Sequence, residues 1–179
     1  MSAAPAGTAT AAGVLEAAFR AAARRWSTGV AVVTTRAQDE VFAKTVSSFC
    51  TLSLDPLLVS VAVVRHSPLV AAVRDSGRFA VSVLTSRQAG VARRFATPGA
   101  GRALGTFTAV PMGALATGAP VLDEALAWFD CRLHGVLSGG DHAIVVGRVT
   151  AADTRPGEPL LYHDGHYRAL APRDHGVGA

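Results

Sequence analysis

The chain has 179 residues, half of them hydrophobic and 17% charged, with a formal net charge of +4. That length fits one domain with a sizeable apolar core; scattered rather than clustered basic residues and sparse aromatics speak against a nucleic-acid surface. No apolar run reaches membrane-spanning length, and two cysteines, Cys50 and Cys131, outside any Cys-x-x-Cys pair cannot build a disulfide framework and fit a reducing cytoplasm.

Residues 1–13 are rich in Ala, Gly, Thr and Pro without the basic segment of a signal peptide, and are expected to be a disordered leader. Residues 14–26 read as a helix, because Leu15, Phe19, Ala22 and Trp26 recur at steps of four, three and four. Gly29 ends it, and the β-branched run 30–35 predicts a strand, followed by a polar turn at 36–40. A hydroxyl-rich segment occupies 43–56, and 58–64 reads as a buried strand. Ser67-Pro68 opens a second helix as N-cap and first helical residue, Leu69, Val70 and Val73 form its apolar face, and Gly77 stops it.

Residues 79–84 alternate as a strand, and Ser86 is expected to cap a third helix through Phe95, with Val91 and Phe95 inward. Pro98-Gly99-Ala100-Gly101 breaks that helix. Residues 102–120 read mostly as loop with a strand at 106–110, and Val121-Leu122 with Ala125-Leu126 predict one helical turn. Strands are expected at 127–136 and 143–152 around a turn at Gly139-Gly140-Asp141-His142. Asp164-Gly165 signals a hairpin between 160–162 and 167–170, and 172–179 is expected to be a disordered tail. Mainly β structure with short helices and tight turns predicts a small, largely antiparallel barrel. No Gly-x-Gly-x-x-Gly follows a strand into a helix, so a Rossmann dinucleotide site is unsupported.

The chemistry-bearing stretch is Ala43-Lys44-Thr45-Val46-Ser47-Ser48-Phe49-Cys50-Thr51-Leu52-Ser53-Leu54-Asp55-Pro56. Crowded hydroxyls and backbone N–H groups suit a phosphate and the polar edge of a flat ring, which points to a bound organic cofactor. Ser47 and Ser48 have no base adjacent in sequence, so serine hydrolysis is not expected. His163 and His166 flank a hairpin turn without a ligand set, so no metal site is expected.

Several pieces, in order, resemble one family, the short-chain flavin reductases that supply reduced flavin to partner monooxygenases. They are Phe19-Arg20, Trp26-Ser27-Thr28-Gly29-Val30, Thr45-Val46-Ser47-Ser48-Phe49, Ser53-Leu54-Asp55-Pro56 and Leu58-Val59. Further on come Ser76-Gly77-Arg78-Phe79-Ala80-Val81, Arg94-Phe95-Ala96, Gly140-Asp141-His142, Gly147-Arg148-Val149, Pro159-Leu160-Leu161-Tyr162 and Gly165-His166-Tyr167. The resemblance implies an FMN-binding split β-barrel over residues 14–171, homodimeric, with FMN or FAD near the subunit interface and NADH or NADPH as hydride donor. It implies that Thr45, Ser47 and Ser48 lie along the flavin's ribityl-phosphate chain and ring edge, and that the backbone of Phe49, Cys50 and Thr51 meets the isoalloxazine. Ser53, Leu54 and Asp55 match the turn beneath the ring, and Arg65 and Ser67 match a segment that reaches the phosphate. Gly140, Asp141 and His142 match a motif near the nicotinamide, where His142 positions the donor, and Tyr167 matches an aromatic near the same pocket.

The chain departs from the family at Ala43-Lys44, where a Gly and an apolar residue are usual, at Leu57 in place of a second proline, and at Trp26 in place of Phe. Lys44 either neutralises the flavin phosphate or extends to solvent. Asp141 and Asp55 read as turn residues on their own, and with no basic pair evident for a 2′-phosphate, NADH is the expected donor. Two alternatives remain: a barrel holding flavin tightly to act directly on a secondary metabolite, and a non-catalytic barrel binding flavin or haem.

Overall fold

The computed structural model describes residues 11–97 and 110–171. The first ten residues of the expected leader, the Pro98–Gly101 break, most of the strand expected at 106–110 and the C-terminal tail lie outside them. The described residues form twelve strands and three short α-helices.

Seven strands make one antiparallel sheet: β2 (Ala31–Ala37), β3 (Glu40–Val46), β4 (Cys50–Leu54), β5 (Leu57–Val64), β6 (Arg78–Val83), β9 (Ala127–Gly139) and β10 (His142–Thr154), in the order β3-β2-β6-β9-β10-β5-β4. The outermost strands, β3 and β4, are consecutive in the chain and only residues 47–49 join them. So short a link forces the sheet to curl until its two edges meet. Inside the curl lies a core of Val33, Val46, Val59, Val61, Val63, Phe79, Val81, Cys131 and Val145. Helix α2 (Pro68–Ser76) adds Leu69, Val70 and Val73 to it.

Strand β2 is buried on both faces, because Val32, with Val30 just before the strand and Ala43 on β3, belongs to a second core built with Phe95 and Ala92 of α3 (Ala89–Ala96). This explains why 30–35 reads as a continuous apolar run rather than an alternation. A small antiparallel sheet of β1 (Thr28–Gly29), β11 (Leu161–His163) and β12 (His166–Arg168) lies beside that second core, into which Leu160 and Tyr167 pack.

The punctuation residues act as their chemistry dictates. Gly77 closes α2 at φ 65°, and Asp164-Gly165 takes φ 48° and 80°, the primed turn that matches the twist of a hairpin. Ser67 occupies the α2 N-cap through its backbone, but its hydroxyl makes no capping bond.

Some expectations give way. Helix α1 spans Ala11–Ala23, so it starts within the expected leader and ends before Trp26. The third helix is preceded by a 3-10 turn at Ser86–Gln88, and its cap is Thr85, whose amide donates to the Gln88 side-chain oxygen at 3.0 Å. Val121-Leu122 is not helical: β8 (Pro120–Leu122) pairs with β7 (Met112–Ala114), and all three β8 residues are buried. Burial on a neighbouring strand outweighs the local spacing that suggested a turn.

Candidate functional site

The seam where β3 passes into β4 is the candidate site. β3 delivers Thr45 to it, residues 47–49 form the corner, and β5 supplies the opposite wall. Lys44, Thr45, Val46, Ser47, Ser48, Ala62, Val63, Val64 and His142 line an open groove of about 260 Å³. His142 arrives through the sheet, because β10 runs antiparallel to β5 with His142 opposite Val64. Gly140, at φ 70°, turns the β9–β10 hairpin, and the Arg65 amide donates to the Asp141 carbonyl at 2.9 Å. That bond pins the hairpin tip to the end of β5.

The hydroxyls along the groove do different jobs. Thr45 Oγ1 donates to the Ala92 carbonyl at 2.8 Å, fastening α3 to β3. Ser48 Oγ donates to the Ala62 carbonyl at 2.8 Å and accepts from the Ala62 amide at 3.0 Å, so it stitches the corner to β5. Ser47 is exposed, and among the described residues no backbone hydrogen bond outside the strand ladders involves Ser47, Ser48 or Phe49. Backbone amides in such a loop can serve as donors to an anion. Phe49 packs its ring against Phe129, centroids 5.1 Å apart, and against the core inside the curl.

Lys44 is neither free in solvent nor committed to the groove alone. Its Nζ donates to the Ala96 carbonyl at 3.2 Å, at the C-terminus of α3 where positive charge is favoured. An ammonium carries three donors, so two remain for an anion in the groove that Lys44 lines.

Asp141 does more than shape a turn. Its Oδ1 lies 2.7 Å from His142 Nδ1. The hydrogen bond to His142 and the attraction of its ring hold the Asp141 carboxyl below the usual 3.8, with a smaller contribution from Arg65. The contact fixes the imidazole through Nδ1 and leaves Nε2 to meet a ligand.

Other expected site residues lie elsewhere. Ser53, Leu54 and Asp55 form the far end of the β4–β5 hairpin, outside the groove wall, with Leu54 87% exposed. Cys50 and Thr51 are exposed on β4, where Cys50 Sγ approaches the Thr51 carbonyl at 3.4 Å. Ser67 starts α2 and is not part of the groove wall. Tyr167 is not part of the groove wall; it packs against the second core, 5.6 Å from Tyr162 and under the Arg93 guanidinium. Burial pushes the Tyr167 phenol up, and Tyr162 adds to this while Arg93 opposes it.

A flavin fits this groove in part. The Ser47 hydroxyl and the Lys44 ammonium suit an anionic tail, and Leu52, Leu54 and Leu57 expose apolar surface along the adjoining hairpin. The volume falls short of what a whole cofactor needs from one enclosing pocket.

Residues 23–171 match the flavin reductase like domain. The chain is 37% identical over 154 residues to the reductase component of 4-hydroxyphenylacetate 3-monooxygenase from Thermus thermophilus, covering 86% of this chain and 95% of that one. It is 36% identical over 151 residues to a probable flavin reductase from Rhizobium meliloti, covering 84% of this chain but only 47% of that longer protein. Among solved structures, the Streptomyces globisporus NADH:FAD oxidoreductase SgcE6, in complex with NAD and FAD fragments, superposes with a TM-score of 0.82 at 31% identity, covering 94% of this chain and 99% of that one. The ordered set of matched segments and the shared architecture agree: this chain belongs to the flavin reductase like domain family.

Proposed function

We propose that this protein is an NAD(P)H-dependent flavin reductase that passes a hydride from NADH or NADPH to FMN or FAD and supplies reduced flavin to a partner monooxygenase. The observation that carries the reading is the convergence of Thr45, Ser47, Ser48 and His142 on one groove from segments far apart in sequence. The flavin, when bound, supplies the two-electron acceptor. The chain supplies placement. Ser47, the amides of residues 47–49 and Lys44 hold the anionic tail, and the backbone of Phe49, Cys50 and Thr51, which follows the corner into β4, meets the ring. His142, steadied by Asp141, positions the nicotinamide through Nε2, and orientation of the two rings is the main demand of hydride transfer.

In this reading residues 14–171 work as a single split-barrel domain and two copies complete the site. Two observations support the pairing. The groove is small for a whole flavin, and Leu15, Phe19 and Trp26 of α1 and its exit are 72%, 70% and 76% exposed. An apolar stripe of this kind marks an interaction surface. Residence in the cytoplasm is part of the same proposal, supported by two free thiols. Among the described residues no helix is long and apolar enough to cross a membrane. The openness of the groove, with Ser47 and Ser48 both exposed, favours an exchangeable flavin over a tightly held one.

The deciding experiment is anaerobic reduction of riboflavin, FMN and FAD with NADH and with NADPH. Reduction of at least one flavin is expected. No reduction in any combination would refute the reading, and a yellow protein that keeps its flavin through gel filtration with little free-flavin turnover would point to a prosthetic group instead.

A further inference from the structure

Arg93 stands outside the groove yet is built into its surroundings. Helix α3 is tied to β3 on either side of it, by Thr45 Oγ1 to the Ala92 carbonyl at 2.8 Å and by Lys44 Nζ to the Ala96 carbonyl at 3.2 Å. Between these ties Arg93 projects over the ring of Tyr167, its guanidinium carbon 5.4 Å from the centroid. Tyr167 packs against the second core, and Tyr162 lies opposite it in the β11–β12 hairpin with ring centroids 5.6 Å apart. Neither of the ion pairs seen among the described residues, Arg20–Glu16 and His142–Asp141, involves Arg93.

A guanidinium laid on an aromatic face keeps its N–H edge free, and that edge matches the oxygens of a phosphate. Lys44 adds a second positive charge one helical turn along, at the rim of the groove. Tyr162 remains 38% exposed beside this pair, so part of an aromatic surface is open to a second flat ring. A phosphate donor next to an exposed aromatic is the recognition chemistry of a nucleotide.

We infer that Arg93, Tyr162 and Tyr167 form a subsite for the adenylate half of a dinucleotide, with the phosphate on the Arg93 edge and the purine against Tyr162. The inference rests on the reductase reading and deepens it. Arg93 is then a specificity residue: it favours substrates carrying adenosine phosphate and is indifferent to FMN and riboflavin. The adenylate belongs either to FAD or to the nicotinamide dinucleotide.

The chain has only two tyrosines, and both are in this subsite. Ring-labelled tyrosine therefore reports on it directly by NMR. Titration of the full-length protein with ADP is expected to move both tyrosine signals, with adenosine alone much weaker. Arg93→Met should weaken ADP about ten-fold, roughly the worth of one charge-assisted hydrogen bond, with Arg93→Lys in between. Absence of any ADP-dependent shift, or equal ADP affinity in wild type and Arg93→Met, overturns the inference. Steady-state kinetics distinguish the sources. An Arg93→Met variant whose KM rises for FAD but not FMN assigns the subsite to flavin adenylate; a KM that rises for NADH with either flavin assigns it to the nicotinamide. Unchanged KM values for FAD and NADH in an active variant overturn the inference and leave the reductase reading standing. A wild type that reduces no flavin refutes that reading, while the ADP titration still decides the subsite.

Discussion

Gly147 of β10 lies against the ring of Phe79 on β6, so closely that a Cβ built on it would stand 2.4 Å from Phe79 Cζ and 2.8 Å from the Cβ of Cys131. All three residues belong to the interior of the curled sheet, and Phe79 and Cys131 are fully buried. Gly147 also follows a register shift between β10 and β9, on the strand that begins with His142. Gly147→Ala is expected to destabilise the protein by about 1–3 kcal/mol, because backbone and ring would both have to move. Denaturant unfolding monitored by tryptophan fluorescence checks this; a change below about 0.5 kcal/mol would show that the sheet gives way freely.

His142→Ala is expected to impair nicotinamide binding or hydride transfer far more than flavin binding, measured by flavin titration alongside KM and kcat for NADH. Equal loss on both sides would contradict a positioning role.

Asp141→Asn tests the neighbour of His142. The Asp141 carboxyl sits below its ordinary value of 3.8 because of His142, so its contribution is present above that value and lost as pH falls through the folded value. KM for NADH in Asp141→Asn should exceed that of wild type at neutral pH, by about three- to ten-fold, the worth of an exposed charged contact. The two profiles should converge in acid, where the wild-type carboxyl is itself neutral. A constant ratio down to the acid limit would show that Asp141 acts only as a turn residue.

The two thiols should separate cleanly. Burial, with a smaller effect of Asp130, pushes Cys131 up from 9.0 to about 12, whereas Cys50 is exposed at the start of β4. A thiol reagent at neutral pH should modify Cys50 alone in the folded protein and both cysteines after unfolding, and FMN should slow the reaction at Cys50. Because folding raises the Cys131 value, its contribution to stability is complete below pH 9.0 and declines as pH rises toward about 12. Thermal unfolding of Cys131→Ser against wild type across that range measures the decline.

Lys44→Met removes the ammonium from the groove wall and keeps an unbranched apolar side chain. Loss of the Ala96 contact should cost no more than about 1 kcal/mol. FMN affinity should fall a few-fold while riboflavin affinity holds, since only FMN carries a phosphate for the ammonium. Equal effects on both flavins would assign Lys44 to α3 alone.

The strands were readable where chemistry is local. The β-branched runs at 30–35 and 58–64, the Gly77 stop and the Asp164-Gly165 turn each carry their instruction within a few residues. The Gln38-Asp39 turn takes the same primed conformation without a glycine, at φ 49° and 64°, which composition does not announce. What escaped the sequence is what strand pairing decides: β8 as a strand, Ser27 Oγ bonded to His163 Nδ1 at 2.8 Å across the chain, and Arg93 over Tyr167. The site divides the same way. Thr45, Ser47 and Ser48 are contiguous and legible, while His142 reaches them only through its register opposite Val64. The number of hydroxyls is legible in the sequence, whereas the backbone partners of Thr45 and Ser48, Ala92 and Ala62, are set by the fold.

The three-residue corner that brings β3 and β4 together gives ligand binding a mechanical meaning. Any molecule seated there touches both margins of the sheet and braces them against parting, so occupancy should be felt throughout the fold as well as at the groove. A thermal-shift assay would then rank ligands by their grip, with a saturating flavin raising the midpoint by mass action.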